Sequence, residues 1–422
     1  MGLAAGLAFL IVGAFVVAGI SDQRRAEATP THNVVVLLAD DQRFNKVTAT
    51  YMPNVWDRLV AGGTMYPDAF VPDPLCCPSR ASILTGNYSH THGVWANRVE
   101  DGGGFPAFGP SEDSTMATDY SAAGYRTLLV GKYMNDYKPA SMYVPPGWTK
   151  FFAVEGTTKY HDYTVNMNGK ELLSYGSAPE DYIVRTEKNR AVQFVENSGS
   201  RPFFLYCSFS APHFPATPDP RDTTRFAGRT DSAQHDNMLE AAFSMDRAIG
   251  RLLDVLPPNT IVAYLSDNGY LWGERVAGRG GLSGKQWPYN GSIRIPMVLK
   301  ALDGSVNFPA KLALNVDLRE TLGVAAGLSV PSTDGISLLS ESRSVFHVEH
   351  MVNGTAPEIL SYCGAREPGW LYVRYSDGVE EFYEEPNERA NLAGNASYQS
   401  SFDRLKAAAQ ALCSPTPPGY AW

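Results

Sequence analysis

Three observations predict an α/β fold with a large sheet between helices. Apolar runs rich in β-branched and aromatic residues recur along the 422-residue chain, at 33–39, 125–130, 202–209 and 260–266. Stretches with helical apolar spacing separate them, which is the alternation of an α/β sheet. Beyond each run come polar groups suited to a cation or an anion: Asp40-Asp41, Lys132, His213 and Asp267-Asn268. Ligands of open α/β sheets bind past the carboxyl ends of the strands. These groups are therefore expected to meet at one edge.

Composition narrows the function. A formal charge of −9 argues against nucleic acid, whose backbone wants a basic partner. A small anionic substrate needs only local positive charge. Residues 2–20 are apolar and uncharged, and 21–30 are polar. This pattern reads as an export segment, either cleaved or kept as a membrane anchor. The expected location is outside the cytoplasm: secreted, periplasmic or at the cell surface. Export permits disulfides. Of the five cysteines, Cys363 and Cys413 are the expected pair, although sequence leaves other connectivities open. The expected division is 1–30 as leader or anchor, 31–300 as catalytic domain and 301–422 as a smaller subdomain.

Residues 33–39 form a continuous apolar run, as a strand buried on both faces would. Adjacent carboxylates follow it at Asp40-Asp41, which repel unless a cation neutralises them. A short helix is expected over 53–60. The stretch Cys76-Cys77-Pro78-Ser79-Arg80-Ala81-Ser82-Ile83-Leu84-Thr85-Gly86 reads as a short helix with proline in its first turn and Gly86 at its end. Cys76 then sits at a helix N-terminus, which favours anions. Arg80 adds a cationic fork suited to sulfate or phosphate. His90, His92 and Asn97 follow closely enough to line the same pocket.

Residues 116–123 read as a helix stopped by Gly124. Residues 125–130 form the second strand and lead to Gly131-Lys132-Tyr133-Met134-Asn135. A hairpin is expected around Asn168-Gly169. Residues 181–197 and 234–256 read as amphipathic helices, flanking the third strand. The fourth strand ends in Asp267-Asn268-Gly269. Asp40, Asp41, Asp267 and Asn268 offer only hard oxygen ligands, which favours Ca²⁺ or Mg²⁺ over zinc. No His/Cys cluster at zinc spacing is present. Residues 278–284 read as a glycine-rich, mobile loop carrying Lys285 over a substrate, and 293–299 as a return to the sheet. Past residue 301, a helix over 316–326, strands at 371–375 and 381–383, and a closing helix over 402–412 describe an α+β unit with a small antiparallel sheet.

The Cys76-Cys77-Pro78-Ser79-Arg80 string with Thr85-Gly86 resembles the signature of the type I, formylglycine-dependent sulfatases. So do Asp40-Asp41-Gln42, Gly131-Lys132-Tyr133, Ala211-Pro212-His213, Ser266-Asp267-Asn268-Gly269 and Gly284-Lys285. The likeness is greatest to the N-acetylglucosamine-6-sulfatase and heparan sulfatase branch, through the whole 76–86 string and Gly131 to Tyr137. This resemblance implies an alkaline-phosphatase-like fold and oxidation of Cys76 to formylglycine by a formylglycine-generating enzyme. It implies a divalent cation held by Asp40, Asp41, Asp267, Asn268 and the modified residue 76. It assigns Arg80, Lys132 and Lys285 to the sulfate, and His213 to the leaving oxygen. A hydroxyl of the hydrated aldehyde attacks sulfur, and the second hydroxyl expels sulfate. A sulfated sugar is the implied substrate. Two positions depart from the arylsulfatase pattern: Met134 stands where many members have a histidine, and Tyr270 to Arg275 contains none. Asn135 is expected to take over part of the role vacant at Met134. The same site chemistry also serves phosphonate monoester or phosphodiester hydrolysis. A non-catalytic carbohydrate-binding relative with unconverted Cys76 is the third reading.

Overall fold

The computed structural model describes residues 32–422, apart from 157–158, 277–278 and 386–387. The segment read as an export signal lies outside the described residues. Among those described, no helix is long and apolar enough to cross a membrane.

Apart from a two-residue pair at Ala69–Phe70 and Ala313–Leu314, the strands are β1 (Asn33–Ala39), β2 (Thr64–Met65), β3 (Arg126–Lys132), β4 (Lys150–Val154), β5 (Tyr163–Met167), β6 (Glu171–Tyr175), β7 (Phe203–Ser208) and β8 (Thr260–Ser266). They continue as β9 (Leu271–Val276), β10 (Arg279–Gly284), β11 (Met297–Ala301), β12 (Phe346–His350), β13 (Tyr362–Glu367), β14 (Trp370–Tyr375) and β15 (Glu380–Glu384). Nine of them form one mixed sheet in the order β2-β11-β8-β1-β7-β3-β4-β5-β6. The five central strands, β8 to β4 in that order, are parallel. The strands outside them pair antiparallel.

Alternation along β1 explains why its sequence is apolar throughout. Val34, Val36 and Leu38 enter one core cluster, and Val35, Leu37 and Ala39 enter the other. A strand covered on both faces has no position for a polar side chain. The helices α1 (Cys76–Thr85), α2 (Ser89–His92) and α3 (Met116–Ala122) precede α4 (Ile183–Glu196), α5 (Ala233–Leu253), α6 (Asp317–Ala325) and α7 (Gln399–Leu412). Residues of α1, α3 and α6 fill the first cluster. Residues of α4 and α5 fill the second. Although α6 lies beyond residue 301, it packs on α1 and α3.

Register then places the site. Ala39 pairs with Ser266, Leu38 with Ser208, and Ser208 with Gly131. The ends of β1, β8, β7 and β3 thus lie side by side. Gly131 is required here: a Cβ would come within 2.0 Å of the Ser208 carbonyl oxygen.

The hairpin at Asn168-Gly169 forms as expected, with φ of 59° and 67° at the two turn residues. Three readings need correction. Residues 279–284 are a strand, not a mobile loop, because β10 pairs antiparallel with β9 through two register shifts. The return strand β11 starts at Met297 rather than 293, after a short helix over Asn290–Ile293. A fifth parallel strand, β4, was not foreseen.

The C-terminal sheet is β12-β13-β14-β15, antiparallel throughout. Helix α7 packs on it through Phe402, Leu405 and Ala409. A disulfide joins Cys363 on β13 to Cys413 after α7, the pair expected from sequence.

Candidate active site

Helix α1 starts at Cys76, with Leu75 as extended N-cap and Gly86 as left-handed C-cap at φ 72°. Its whole length is buried. Arg80 stands one turn after Cys76, on the same face. Asn97 Oδ1 accepts from the Cys77 amide at 2.8 Å, satisfying one of the free N–H groups at the helix start. Asn97 therefore supports the helix rather than pointing elsewhere.

Around Cys76 the strand ends converge as the register requires. Lys285 Nζ, just after β10, lies 2.7 Å from Cys76 Sγ and 2.6 Å from Asp41 Oδ1. Cys76 Sγ is 3.7 Å from Asp40 Oδ1. Lys132 Nζ, at the end of β3, pairs with Asp40 Oδ2 at 2.7 Å. Arg80 reaches Asp267 Oδ2 at 2.9 Å and Asp40 Oδ2 at 3.3 Å, and donates to Ser208 Oγ at 2.6 Å. His213 Nε2 stands 3.6 Å from Asp41 Oδ2 and keeps a partly exposed ring. Asp41 has φ 65°, a left-handed conformation that turns the chain back across the edge.

Charge is concentrated but paired. Burial opposes ionisation of Asp40. Lys132, then His213, Arg80 and Lys285, outweigh it and hold the carboxyl well below its usual range. Burial pushes the Cys76 thiol up to about 12, against the pull of Lys132 and Lys285. A neutral thiol is a poor nucleophile. Cys76 Sγ lies where a formylglycine would carry its oxygen atoms.

The donors fit a hard cation. Atoms of Asp40, Asp41, Cys76 and His213 lie within 4.8 Å of one another. Asn268 donates through Nδ2 to Asp41 Oδ1 at 2.6 Å, while its buried Oδ1 has no hydrogen-bond partner among the described residues. The close set holds two carboxylates and leaves out Asp267, whose oxygens are taken by Arg80 and by backbone amides; an unpaired amide oxygen beside Asp41 suits an oxygen-binding cation such as calcium or magnesium.

The remaining predicted pocket residues separate. His92 is buried and held within its own layer, by Ser82 Oγ at 3.1 Å and the Val94 amide at 3.1 Å. His90 turns away to Glu349, 2.8 Å from Oε2. Asn135 is half-buried, and its Oδ1 has no hydrogen-bond partner among the described residues. Met134 is buried with its sulfur 3.7 Å from Cys77 Sγ, so this position packs the core. The sequence reading missed Ser208, the last residue of β7, and Asn315, which donates to Ser79 Oγ at 2.8 Å. The edge rule that found Lys132 would also have found Ser208.

The fold is alkaline-phosphatase-like, with charged residues gathered at the strand-end edge. The family model described as Sulfatase matches residues 32–319, and the chain belongs to the sulfatase family. Human N-acetylglucosamine-6-sulfatase is 30% identical over 74% of this chain and 65% of its own length. The extracellular sulfatase SULF-1 homolog of Drosophila melanogaster is 30% identical over 74% of this chain and 32% of its own. The chain thus spans less than two thirds of either relative. A protein solved in complex with its substrate D-glucosamine-2-N,6-O-disulfate superposes with a TM-score of 0.75 at 20% identity, covering 92% of this chain and 99% of that one.

Proposed function

We propose that this protein hydrolyses sulfate esters of amino sugars, with formylglycine formed from Cys76 as its nucleophilic group. The observation that carries the reading is the position of Cys76. It opens a buried helix, with the Lys285 ammonium 2.7 Å from its Sγ and Asp40 on its other side. Formylglycine would supply a hydrated aldehyde there. A Ca²⁺ ion, or Mg²⁺ in its place, would supply positive charge for sulfate oxygens, held by Asp40, Asp41, Asp267 and Asn268.

The chain's own residues do the rest. Lys285 donates to the group at position 76 and to the sulfate, bringing charge to where it develops. Lys132 and Arg80 hold Asp40 ionised, and Arg80 fixes Asp267. Nearly all of Arg80 is committed to Asp40, Asp267, Ser208 and the Lys132 carbonyl. It therefore orders the cradle more than it grips substrate. To His213, partly exposed beside Asp41, we assign protonation of the leaving sugar oxygen. The sugar class rests on the named substrates of the relatives.

Two measurements test this. The tryptic peptide 59–80 should show the mass of an aldehyde at position 76 in protein from its native host. Purified enzyme should release sulfate from N-acetylglucosamine 6-sulfate. Faster turnover of an aryl phosphonate than of any sulfate ester would move the assignment to phosphonate hydrolysis. An unmodified Cys76 with retained sugar binding would move it to a binding protein.

A further inference from the structure

A second cluster of metal-ligating side chains lies away from Cys76. It joins helix α2 to strand β12, segments more than 250 residues apart in the chain. His347 and Glu349 alternate along β12 and so share one face of the strand. His90 on α2 meets that face. Its Nδ1 is 2.8 Å from Glu349 Oε2, and His347 Nε2 is 3.4 Å from Glu349 Oε1. The two imidazole rings lie 5.0 Å apart. One ligand atom from each of the three residues falls within 4.8 Å of the others.

The hydrogen bonding here is incomplete. His347 and Glu349 are 1% and 0% exposed, yet among the described residues His347 Nε2 and Glu349 Oε1 have no hydrogen-bond partner beyond their own 3.4 Å ion pair. Behind them, Asp73 Oδ1 and both ring nitrogens of the buried His350 also lack one. One His–Glu ion pair would satisfy one imidazole. It leaves the second buried imidazole, His347, 3.4 Å from the same carboxylate in an ion pair without a well-aligned hydrogen bond. Leaving such atoms unpaired costs about 1–3 kcal/mol each. A cation shared by the three residues satisfies them together.

We propose that His90, His347 and Glu349 bind a zinc ion. Two nitrogens and one carboxylate oxygen are zinc ligands rather than calcium ligands, which separates this site from the oxygen-rich one beside Cys76. Ligands at about 2.0–2.2 Å in a tetrahedron stand roughly 3.3–3.5 Å apart, so atoms already within 4.8 Å of one another close by up to roughly 1.5 Å. His90, with 8% of its side chain exposed, is the least buried of the three ligands, and a water would complete the fourth position. The Tyr88 ring meets His347 edge-on at 4.1 Å and walls the site. The ion clamps the small sheet to the helix pair that carries Cys76.

The test uses the full chain in a Cys76→Ala background, which removes the sulfur from the other cluster. Protein is dialysed against zinc, washed and assayed for metal, and cobalt is substituted to read its visible absorption. One zinc per chain, tetrahedral-type cobalt bands and a higher Tm with zinc are expected. His90→Gln, which removes a ligand, should weaken zinc binding by more than the roughly 10–100-fold that loss of an outer-shell partner costs and remove the cobalt bands. His347→Gln should do the same. If it fails to fold, His90→Gln on the partly exposed helix carries the test alone. No zinc retained, or retention unaltered by His90→Gln, overturns the proposal. No turnover enters the readout, so the outcome is independent of the sulfatase reading.

Discussion

Replacing Lys285 by methionine separates chemistry from folding at this site. The side chain is 13% exposed, and its ammonium makes two close contacts, to Asp41 Oδ1 at 2.6 Å and to position 76 at 2.7 Å. Methionine keeps most of the length and removes the charge. Asp41 retains Asn268 Nδ2 at 2.6 Å and His213 at 3.6 Å, so its carboxylate is not stranded. The stability cost is then that of one charged hydrogen bond, about 1.5–3 kcal/mol. The catalytic cost is larger. A donor aimed at charge that develops in the transition state is worth roughly 10²–10³ in rate, or about 2.7–4 kcal/mol. Sulfate release from an aryl sulfate should fall by that factor in kcat, with a Tm only a few degrees lower. Conversion at position 76 must be measured by peptide mass in both proteins, so that equal nucleophile is compared. Lys285→Arg tests geometry: it keeps the charge but replaces a compact donor by a wide fork, and partial activity is expected. Turnover of Lys285→Met within tenfold of wild type, at equal conversion, would refute the reasoning. Lys285 would then only balance Asp41.

Cys76→Ala and Cys76→Ser should both abolish turnover while leaving the circular-dichroism spectrum and Tm close to wild type; full turnover by folded Cys76→Ala would sink the formylglycine reading. Exhaustive chelation should stop sulfate release, and Ca²⁺ or Mg²⁺ should restore it; activity that survives chelation would remove the cation from the site. Arg319→Met should destabilise by about 3–5 kcal/mol in urea unfolding, because Arg319 is 1% exposed and pairs with Asp119 at 2.7 Å while donating to Thr85 O at 2.7 Å. Glu388 gives a pH test. Burial, then the neighbouring Glu385, pushes its carboxyl up to about 8. The folded state therefore holds this proton more tightly than the unfolded chain, and stability falls as pH rises from the ordinary carboxyl range through 8. Glu388→Gln should gain Tm relative to wild type between pH 6 and 9; a Tm difference constant across that range would refute it.

Much of this architecture is written locally. The run over 33–39 has no polar residue between Asn33 and Asp40, and a strand covered on both faces tolerates none. The helices over 183–196 and 233–253 repeat their apolar residues at helical spacing. The polar residues after each strand are legible as a site because strand ends of a parallel sheet share an edge. The 76–86 stretch shows its helix through Pro78 and Gly86, and its chemistry through Cys76 and Arg80. The strand at Lys150–Val154 escaped notice because five residues carry too little periodicity. The glycines at 280, 281 and 284 hid a hairpin, since glycine is a poor strand former whose pairing depends on the facing strand.

His90 and His92 mark the boundary between the two kinds of information. Two residues apart on a helix, they point about 200° from each other, so one pocket cannot hold both. Sequence shows two histidines beside a cysteine helix and nothing to separate them. Packing sends His92 inward to Ser82, and sends His90 across to Glu349, 259 residues away. The second cluster has no spacing signature because its ligands come from two segments that only the folded chain brings together. What the sequence by itself determined is which residues end the buried strands, because burial dictates residue type one strand at a time. What only the tertiary structure decided is which of those residues touch, because contact between distant segments depends on sheet order and register.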